Sequence, residues 1–172
     1  MRESANVPKR LRAMVLWGAG AASCGGQAAA SCPGSPDAAA RMLYEQHYGF
    51  YRADAGGSAP LAPALRSLLV RDWQCQAPGE VCALGADPWV NAQDGDIHGP
   101  IRYVAGAHGA RHATVWLHYR FGITAASARQ VATRLDLERD PVSSCWLLED
   151  VTGPGGESLR KTLRQFDGYR TP

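Results

Sequence analysis

Residues 112–121 are His-Ala-Thr-Val-Trp-Leu-His-Tyr-Arg-Phe, and this stretch decides the fold of the chain. Apolar and polar side chains alternate along it, which is the pattern of a β-strand that buries one face. Gly109 and Gly122 bound the stretch as turn residues. The alternation places one set on the buried face, namely Ala113, Val115, Leu117, Tyr119 and Phe121. The opposite face then carries His112, Thr114, Trp116, His118 and Arg120.

Three further segments have strand character, and short turns separate them from one another. They are Ile101–Ala105, Arg129–Glu138 and Ser144–Val151. The third strand of the series should bury Val131, Thr133, Leu135 and Leu137. Because parallel strands need long crossover connections, turns this short predict an antiparallel meander of four strands.

Helical patterns lie on both sides of the strands. We predict helices over 38–51, with Asp37 as its N-cap, over 61–74 and over 157–166. In the second helix, Leu65, Leu68 and Leu69 should point inward, and Arg66, Arg71 and Asp72 outward. Two helices, four strands and one helix predict an α+β fold in which helices cover one face of a curved antiparallel sheet.

The N-terminus has the pattern of a secretory signal peptide. Lys9, Arg10 and Arg12 form a basic head, an apolar stretch follows, and 28–30 are three alanines that fit a cleavage site. We therefore expect 1–30 to be a signal peptide and 31–172 a single domain. Removing the signal takes the formal charge from +2 to −1, which gives no support to a nucleic-acid or anionic-membrane surface.

The cysteines fit an oxidising compartment. Cys75 and Cys82 flank a Pro-Gly turn and should form one disulfide, which leaves Cys32 and Cys145 for a second. Their spacings do not resemble a structural zinc motif. Cys24 and Cys32 each follow Ala-Ala-Ser, a weak lipidation motif. Modification of Cys24 would leave the other four cysteines free to pair, whereas modification of Cys32 would leave three and one of them unpaired. A soluble periplasmic protein and a lipoprotein anchored at Cys24 both remain open.

A segment rich in acidic and amide side chains is the first candidate site. It contains Asp87, Gln93, Asp94, Asp96 and His98, and its oxygen atoms are of the kind that bind Ca²⁺. An EF-hand pattern starting at Asp94 fails, because His98 stands at the fifth position and Ala105 at the twelfth. A hydrogen-bonded turn region is the simpler interpretation, with a ligand-contact loop as the alternative. We predict no metal and no cofactor.

The polar face of the second strand is the other candidate. His112, Trp116 and His118 share it, Arg134 of the third strand should join them, and Trp146 and Leu148 are expected on the same side. Tryptophan among histidine and arginine is a composition typical of protein interfaces. The alternatives are a core tryptophan with solvated neighbours, or a catalytic histidine.

Signatures of catalysis are weak. The chain has no G-x-S-x-G motif, and 153–156 lacks the ending of a phosphate-binding loop. A pair of His98 with Asp94 or Asp96, near Tyr103, would be the group to perform acid–base chemistry in a pocket. Enzymatic activity is therefore left undecided, with a non-enzymatic role favoured.

Three short motifs carry a family resemblance. Residues 87–94 (DPWVNAQD), 146–151 (WLLEDV) and 158–160 (SLR) resemble the domain of unknown function 3828, found in small exported bacterial proteins and lipoproteins. The resemblance spans most of 37–166. It implies export and a cone like that of cystatins or nuclear transport factor 2, with a curved sheet wrapped around a long helix. It brings no catalytic residues, and the Cys75–Cys82 pair is not assigned to the family pattern.

These observations favour an exported envelope protein that binds another protein without catalysing a reaction. One version is an immunity protein that neutralises a secreted toxin. The expected partner is a protein, with no nucleic acid and with membrane contact only through a lipid anchor. A small-molecule-binding protein or enzyme with a pocket in the cone is the alternative, and a structural envelope component is a third possibility.

Overall fold

The computed structural model describes residues 32–76 and 80–168. Its elements are α1 (Pro36–His47), a 3-10 turn (Gly56–Ser58), α2 (Pro63–Gln76), β1 (Asp96–His108), β2 (His112–Gly122), β3 (Arg129–Arg139), β4 (Trp146–Thr152) and α3 (Leu159–Gln165). The strands form one antiparallel sheet in the order β1-β2-β3-β4. The predicted α+β class and the four-stranded meander are confirmed.

The alternation along β2 sorts its side chains as predicted. Ala113, Val115, Leu117 and Tyr119 are buried, whereas His112, Trp116 and Arg120 are exposed. On β3, Thr133, Leu135 and Leu137 are buried in the same way. We call the buried side the covered face of the sheet and the opposite side the exposed face.

Trp146 and Leu148 lie on the covered face, so their predicted position beside Trp116 is wrong. Leu148 pairs with Leu137 and is fully buried, and Trp146 is 5% exposed. The cause is a bulge. Asp136 pairs with Asp150 but the next residue of β3 pairs with Leu148, so β4 carries one extra residue there. Because side chains alternate with a period of two, one extra residue moves the first half of β4 to the other face.

All three helices bury small or aliphatic side chains in the same core. The core combines the covered face of the sheet with residues from each helix, which are Ala39, Ala40 and Leu43 of α1, Leu65 and Leu69 of α2, and Leu159 and Leu163 of α3. The helices therefore supply the apolar layer that the alternating strands require.

Helix α1 begins and ends earlier than its sequence pattern indicates. The Ser35 hydroxyl accepts a hydrogen bond from the Ala38 N–H, so Ser35 and not Asp37 is the N-cap, and Pro36 takes the first helical position. The helix ends at His47, not at Tyr51. The carbonyl of Tyr48 instead accepts the indole N–H of Trp89 at 2.8 Å. A tertiary hydrogen bond thus takes the place of another helical turn.

Helix α2 begins at Pro63 because the residues before it pair with the edge of β4. Ala62 N–H donates to the Leu148 carbonyl, and the Leu148 N–H donates to the Pro60 carbonyl, each at 2.8 Å. Asp72 is fully buried, contrary to the prediction that it points outward. Its carboxylate accepts hydrogen bonds from the Ala83 N–H (2.9 Å) and the Gln76 amide (2.6 Å), which attaches the following loop to the helix.

The remaining boundaries shift by a few residues. β1 begins at Asp96 rather than at Ile101, so the end of the segment expected to be irregular is a strand. β4 begins two residues late, after Ser144, whose φ of 60° is incompatible with an extended strand. α3 is shorter than predicted, and its N-cap is Ser158, whose hydroxyl accepts from the Lys161 N–H.

Trp89 anchors the connection between α2 and β1 inside the core. It is 1% exposed, and its ring packs edge-on against Tyr44 and Phe50. Its carbonyl lies 2.6 Å from the Tyr119 hydroxyl and 2.5 Å from the Thr133 hydroxyl, and these hydroxyls are 2.8 Å apart. The two hydroxyl protons are thus shared among three buried oxygens. This hydrogen bonding satisfies the backbone carbonyl that Trp89 brings into the core.

The described residues contain two disulfides, and both have the predicted pairing. Cys32 is bonded to Cys145 across 113 residues of sequence, and Cys75 is bonded to Cys82 across seven. The first joins the chain just before α1 to the start of β4. The second closes the loop that leaves α2. Because both pairs of thiols are used, none of these sulfurs is available as a zinc ligand.

The two disulfides should differ in their effect on stability. In the chain-entropy model, the Cys32–Cys145 bridge contributes roughly 4–5 kcal/mol and the Cys75–Cys82 bridge roughly 2–3 kcal/mol, because the former closes a much longer loop. Urea unfolding of the two double alanine variants should therefore show the larger loss for Cys32→Ala/Cys145→Ala. A larger loss from the short loop would contradict this account.

The two tryptophans of contrasting burial provide a second test. Trp89→Ala should lower the free energy of unfolding by roughly 3–5 kcal/mol, because it empties a buried site and removes an indole hydrogen bond. Trp116→Ala makes the same chemical change at a side chain that is 38% exposed, and should cost about 1 kcal/mol or less. Equal losses from the two variants, measured by urea unfolding, would exclude the anchoring role of Trp89.

Candidate functional site

The exposed face of the sheet brings together the three side chains of β2 that were predicted as partner contacts. His112, Trp116 and His118 lie on it at alternate positions of β2. In the register of the sheet, Trp116 stands between Val104 of β1 and Arg134 of β3. Within 32–76 and 80–168, no helix covers this side of the sheet. Trp116 is therefore 38% exposed to solvent. A half-exposed tryptophan is thus at the centre of the face.

One end of this face is a cleft lined by basic side chains. It has a volume of about 660 Å³, and its polar lining consists of His98, Arg102, His118, Arg120 and Gln130. The four basic residues form two cross-strand pairs, His98 with Arg120 and Arg102 with His118. In the described part of the chain, no carboxylate belongs to this lining. We call this the basic cleft.

A bulge in β1 opens the basic cleft. Three residues of β1 separate His98 from Arg102, whereas only Tyr119 separates their partners on β2. Gly99, at the start of this excess, has a φ of 85°, which is a conformation that glycine adopts without strain. Pro100 follows it and has no N–H to pair with β2. The local departure of β1 from β2 leaves space between their outward side chains.

Backbone carbonyls hold two of the basic side chains in place. One guanidinium nitrogen of Arg120 donates to the carbonyls of Ala125 (2.9 Å) and Ala128 (3.0 Å) in the β2–β3 connection. The Nε2 atom of His98 lies 3.0 Å from the Gly122 carbonyl. Since a carbonyl oxygen only accepts, Nε2 carries the proton and Nδ1 is left for other contacts.

The opposite end of the exposed face is acidic, with Asp136, Glu138, Glu149 and Asp150. Its carboxylates are partly neutralised within the chain. Arg134 donates to Asp136 at 2.9 Å, and Arg160 donates to Glu149 at 2.8 Å. His112 Nδ1 is 3.3 Å from the other oxygen of Glu149. The face therefore changes from basic to acidic along β2, with Trp116 between the two ends.

Asp150 differs from the other carboxylates of this end because its role is structural. One of its oxygens accepts a hydrogen bond from the backbone N–H of Arg160. The other accepts a hydrogen bond from the Ser158 hydroxyl at 2.5 Å. These bonds satisfy donors at the first turn of α3. The carboxylate thus fixes the helix to the end of β4.

The acidic segment predicted as a ligand site is divided by the fold. Asp87, Gln93, Asp94 and Asp96 line a surface cleft of about 310 Å³ together with Tyr44 and Tyr48. His98 lies apart from them, in the basic cleft. The predicted pairing of His98 with Asp94 or Asp96 is therefore wrong, because its Nε2 binds the Gly122 carbonyl instead.

Local hydrogen bonds use several side chains of this segment. Asp87 accepts from the Trp89 N–H at 2.8 Å and from the Tyr48 hydroxyl. Gln93 donates to the Gly85 carbonyl at 2.8 Å. Because β1 starts at Asp96, residues 94–105 do not form the loop that a calcium site of the EF-hand type needs. Among the described residues, no cluster of three or more His, Cys, Asp or Glu side chains is placed to hold a metal ion.

Tyrosines surround the Asp87 carboxylate, and burial raises their pKa values. Desolvation is the main cause of the raised pKa of Tyr48, and the hydrogen bond to Asp87 and its negative charge act in the same direction. Desolvation and the charge of Asp87 also raise the pKa values of Tyr44 and Tyr51. The raised pKa values keep these hydroxyls protonated, and the hydroxyl of Tyr48 donates to Asp87.

The covered face offers little room for a small-molecule pocket. Trp89, Phe50 and Leu43 are fully buried there against the strands. Tyr103, which was expected to serve such a pocket, instead packs under the guanidinium of Arg41, 4.5 Å from the ring centre. The residues named for acid–base chemistry are thus not brought together.

Sequence reasoning missed Arg102 and Gln130 as members of the site. Both lie within predicted strands, but which side chains of β1 point towards the exposed face depends on the bulge at Gly99 and Pro100. A Gly-Pro pair next to a strand was the available signal, because such residues mark bulges and edge strands. Cys24, the candidate for lipidation, lies outside the described residues.

These features define a disulfide-bonded α+β domain in which the described residues leave one face of the sheet uncovered. Comparison of the chain with protein-family models, curated proteins and solved structures finds no match in any of the three. In the part of the chain that the structure describes, no helix has both the length and the apolar character needed to cross a bilayer. The disulfides indicate an oxidising compartment outside the cytoplasm.

The buried tyrosines predict a loss of stability at alkaline pH. Burial raises the pKa of Tyr119 to about 12, above the ordinary value of 10.0. The folded state therefore holds its phenolic protons more tightly, and the free energy of unfolding should be constant up to about pH 9 and fall as the pH rises from about 10 towards 12. Urea unfolding across this range measures the slope.

The variant Tyr119→Phe tests how much of the alkaline fall in the free energy of unfolding is due to Tyr119. It removes one titrating group, so it should flatten the alkaline decline while lowering stability at neutral pH through the lost hydroxyl. A decline that is absent in the wild-type protein, or unchanged in the variant, would contradict the contribution of Tyr119.

Proposed function

We propose that this chain is an exported envelope protein that binds another protein through the exposed face of its sheet and catalyses no reaction. The observation that carries the proposal is Trp116, half-exposed at the centre of that face between Val104 and Arg134. Large aromatic side chains flanked by arginine are frequent energetic centres of interfaces, because they bury much area with little loss of rotamer freedom.

Two observations support an exported protein. The N-terminal 30 residues have the composition of a signal peptide, and the two disulfides are of the kind that persist in oxidising compartments. Since Cys32 is bonded to Cys145, its thiol is not available for acylation. If the protein is a lipoprotein, Cys24 is therefore the residue that carries the lipid, and a free periplasmic form is the alternative.

The arrangement of elements also agrees with the proposed family. Four sequential antiparallel strands, with α1, α2 and α3 on one face, are compatible with a cone of the cystatin or nuclear-transport-factor-2 type. The motif around Trp89, which is one basis of the resemblance to the domain of unknown function 3828, occupies the core of this arrangement. In such a cone the residues buried around Trp89 would fill the space that a ligand needs, and this favours an external binding surface over an internal pocket.

Within this proposal, an immunity protein against a secreted toxin is the specific version that we favour. Such a protein needs a rigid surface in the compartment where the toxin arrives. The sheet supplies rigidity, and the disulfides keep the domain folded outside the cell. A cell that lacks the chain would then be sensitive to the toxin while its envelope remains intact, whereas a structural envelope component would show the reverse.

Capture of a partner from periplasmic extract tests the proposal. The wild-type protein should retain one stoichiometric protein, and Trp116→Ala should lose it because the central contact is removed, with a reduction of affinity of about 30-fold or more. Val142→Ala is the matched control, since Val142 is 92% exposed in the β3–β4 turn, away from the sheet face.

Two outcomes would overturn the proposed function. The first is that no partner is retained at any salt concentration tested. The second is that Trp116→Ala and Val142→Ala retain the partner equally well, which would remove the exposed face from the interface.

A further inference from the structure

The basic cleft carries charge that the protein itself does not neutralise. Among the described residues, Arg41, Arg52, Arg134 and Arg160 each form a salt bridge with a carboxylate of this chain. Arg102 forms none, although it is exposed and stands beside His118 in the register of the sheet. Its guanidinium is thus available to an external group.

Arg120 adds a second positive charge with a fixed position. Its side chain is bonded to two backbone carbonyls, which lack a full negative charge, so the guanidinium remains charged, and Arg120 lines the cleft. His98 is fixed in a similar way by the Gly122 carbonyl. Groups that are held before binding lose little conformational freedom when a ligand arrives, which favours affinity.

The chemistry of this lining selects anions. Two guanidinium groups from adjacent strands line a cleft of about 660 Å³, beside two imidazoles and, among the described residues, without a carboxylate. Guanidinium groups bind planar carboxylates through two parallel hydrogen bonds, and these charge-assisted bonds are stronger than those between neutral groups. The cross-strand spacing of about 5 Å would allow neighbouring acidic side chains of one segment to enter together.

Continuity with Trp116 favours an acidic protein segment over a free anion. Arg102 and Val104 are two residues apart on β1, and His118 and Trp116 are two residues apart on β2, so cleft and tryptophan form one strip. A segment that fills the cleft with carboxylates would bring its next side chains over the indole. The acidic end of the face, including Asp136 and Glu138, would repel the same segment and so determine its direction.

We propose that the basic cleft binds the carboxylates of an acidic segment of the partner protein, with Arg102 and Arg120 as the principal contacts. This inference rests on the proposed function, because it identifies the chemistry of the surface that the partner presents to the exposed face. It also predicts that association becomes weaker as ionic strength rises, since exposed charges are screened.

The test uses the full chain and an oligoglutamate peptide as the probe, with binding followed by backbone chemical shifts. The peptide should perturb residues of the basic cleft, and Arg102→Ala should weaken its binding about tenfold or more, the effect of one charge-assisted hydrogen bond. Arg111→Ala is the matched control. It removes the same charge from an exposed site in the β1–β2 turn, and its affinity should stay within about twofold of wild type.

Inorganic phosphate at matched ionic strength separates a segment from a small anion. Equal effects of Arg102→Ala and Arg111→Ala, or no perturbation of the cleft, would overturn the proposal. The proposal would also be overturned if phosphate binds in a manner that depends on Arg102 while the oligoglutamate peptide does not bind.

The partner capture assay keeps this inference distinct from the proposed function. If Trp116→Ala loses the captured partner but Arg102→Glu retains it as well as Arg111→Glu does, the acidic-segment proposal fails and the proposed function stands. If Arg102→Glu loses the captured partner and Arg111→Glu retains it, the result supports the proposal. If the wild-type protein captures no partner, the proposed function fails, whereas the peptide titration still reports on the chemistry of the cleft.

Discussion

The hydrogen bonds of Trp89 are the interaction on which the arrangement of this protein depends. Its indole N–H donates to the carbonyl of Tyr48, at the point where α1 ends. Its carbonyl accepts hydrogen bonds from the hydroxyls of Tyr119 and Thr133, which lie on two neighbouring strands. One residue from an irregular connection thus joins the first helix to the middle of the sheet. Without these bonds, the connection between α2 and β1 would bring unsatisfied backbone groups into the core.

This anchoring also explains why the candidate site is on the other side of the sheet. The side chains of Trp89 and Phe50 occupy the covered face, so the polar residues of β2 have only the exposed face on which to act. There the order of charges follows the strands, from Arg120 at one end to Glu138 at the other. A surface with a hydrophobic centre and opposite charges at its ends distinguishes the two orientations in which a partner could approach.

The sequence was most informative where a single local rule operates without competition. The alternation from His112 to Phe121 predicts both faces of β2, since a strand in the middle of a sheet has one side towards the helices. The cysteine pairs follow from the same kind of counting. The pairing of Trp116 with Val104, by contrast, depended on a register that only the completed sheet supplies.

The errors arise where a tertiary contact overrides a local preference. The helical pattern continues to Tyr51, but Trp89 captures the Tyr48 carbonyl and α1 stops. Asp72 has the position of a surface residue on α2, but its carboxylate is needed to hold Ala83. The bulge opposite Asp136 leaves no clear trace in the sequence of β4, and it reverses the faces of the residues before it. Such contacts join segments distant in sequence, which periodicity cannot report.

The Cys32–Cys145 bridge also sets the geometry of any attachment to a membrane. It fixes the beginning of the domain to the start of β4, which is the end of the sheet where Glu138 lies. In a form lipidated at Cys24, the seven residues 25–31 would separate the lipidated residue from this fixed point, which limits the distance between them to about 29 Å at full extension. The lipid would then be tethered to the end of the sheet that carries Glu138, opposite to the end that carries Arg102. Reduction of the bridge would remove this fixed point, and the tether would then reach the domain at Pro36, where α1 begins.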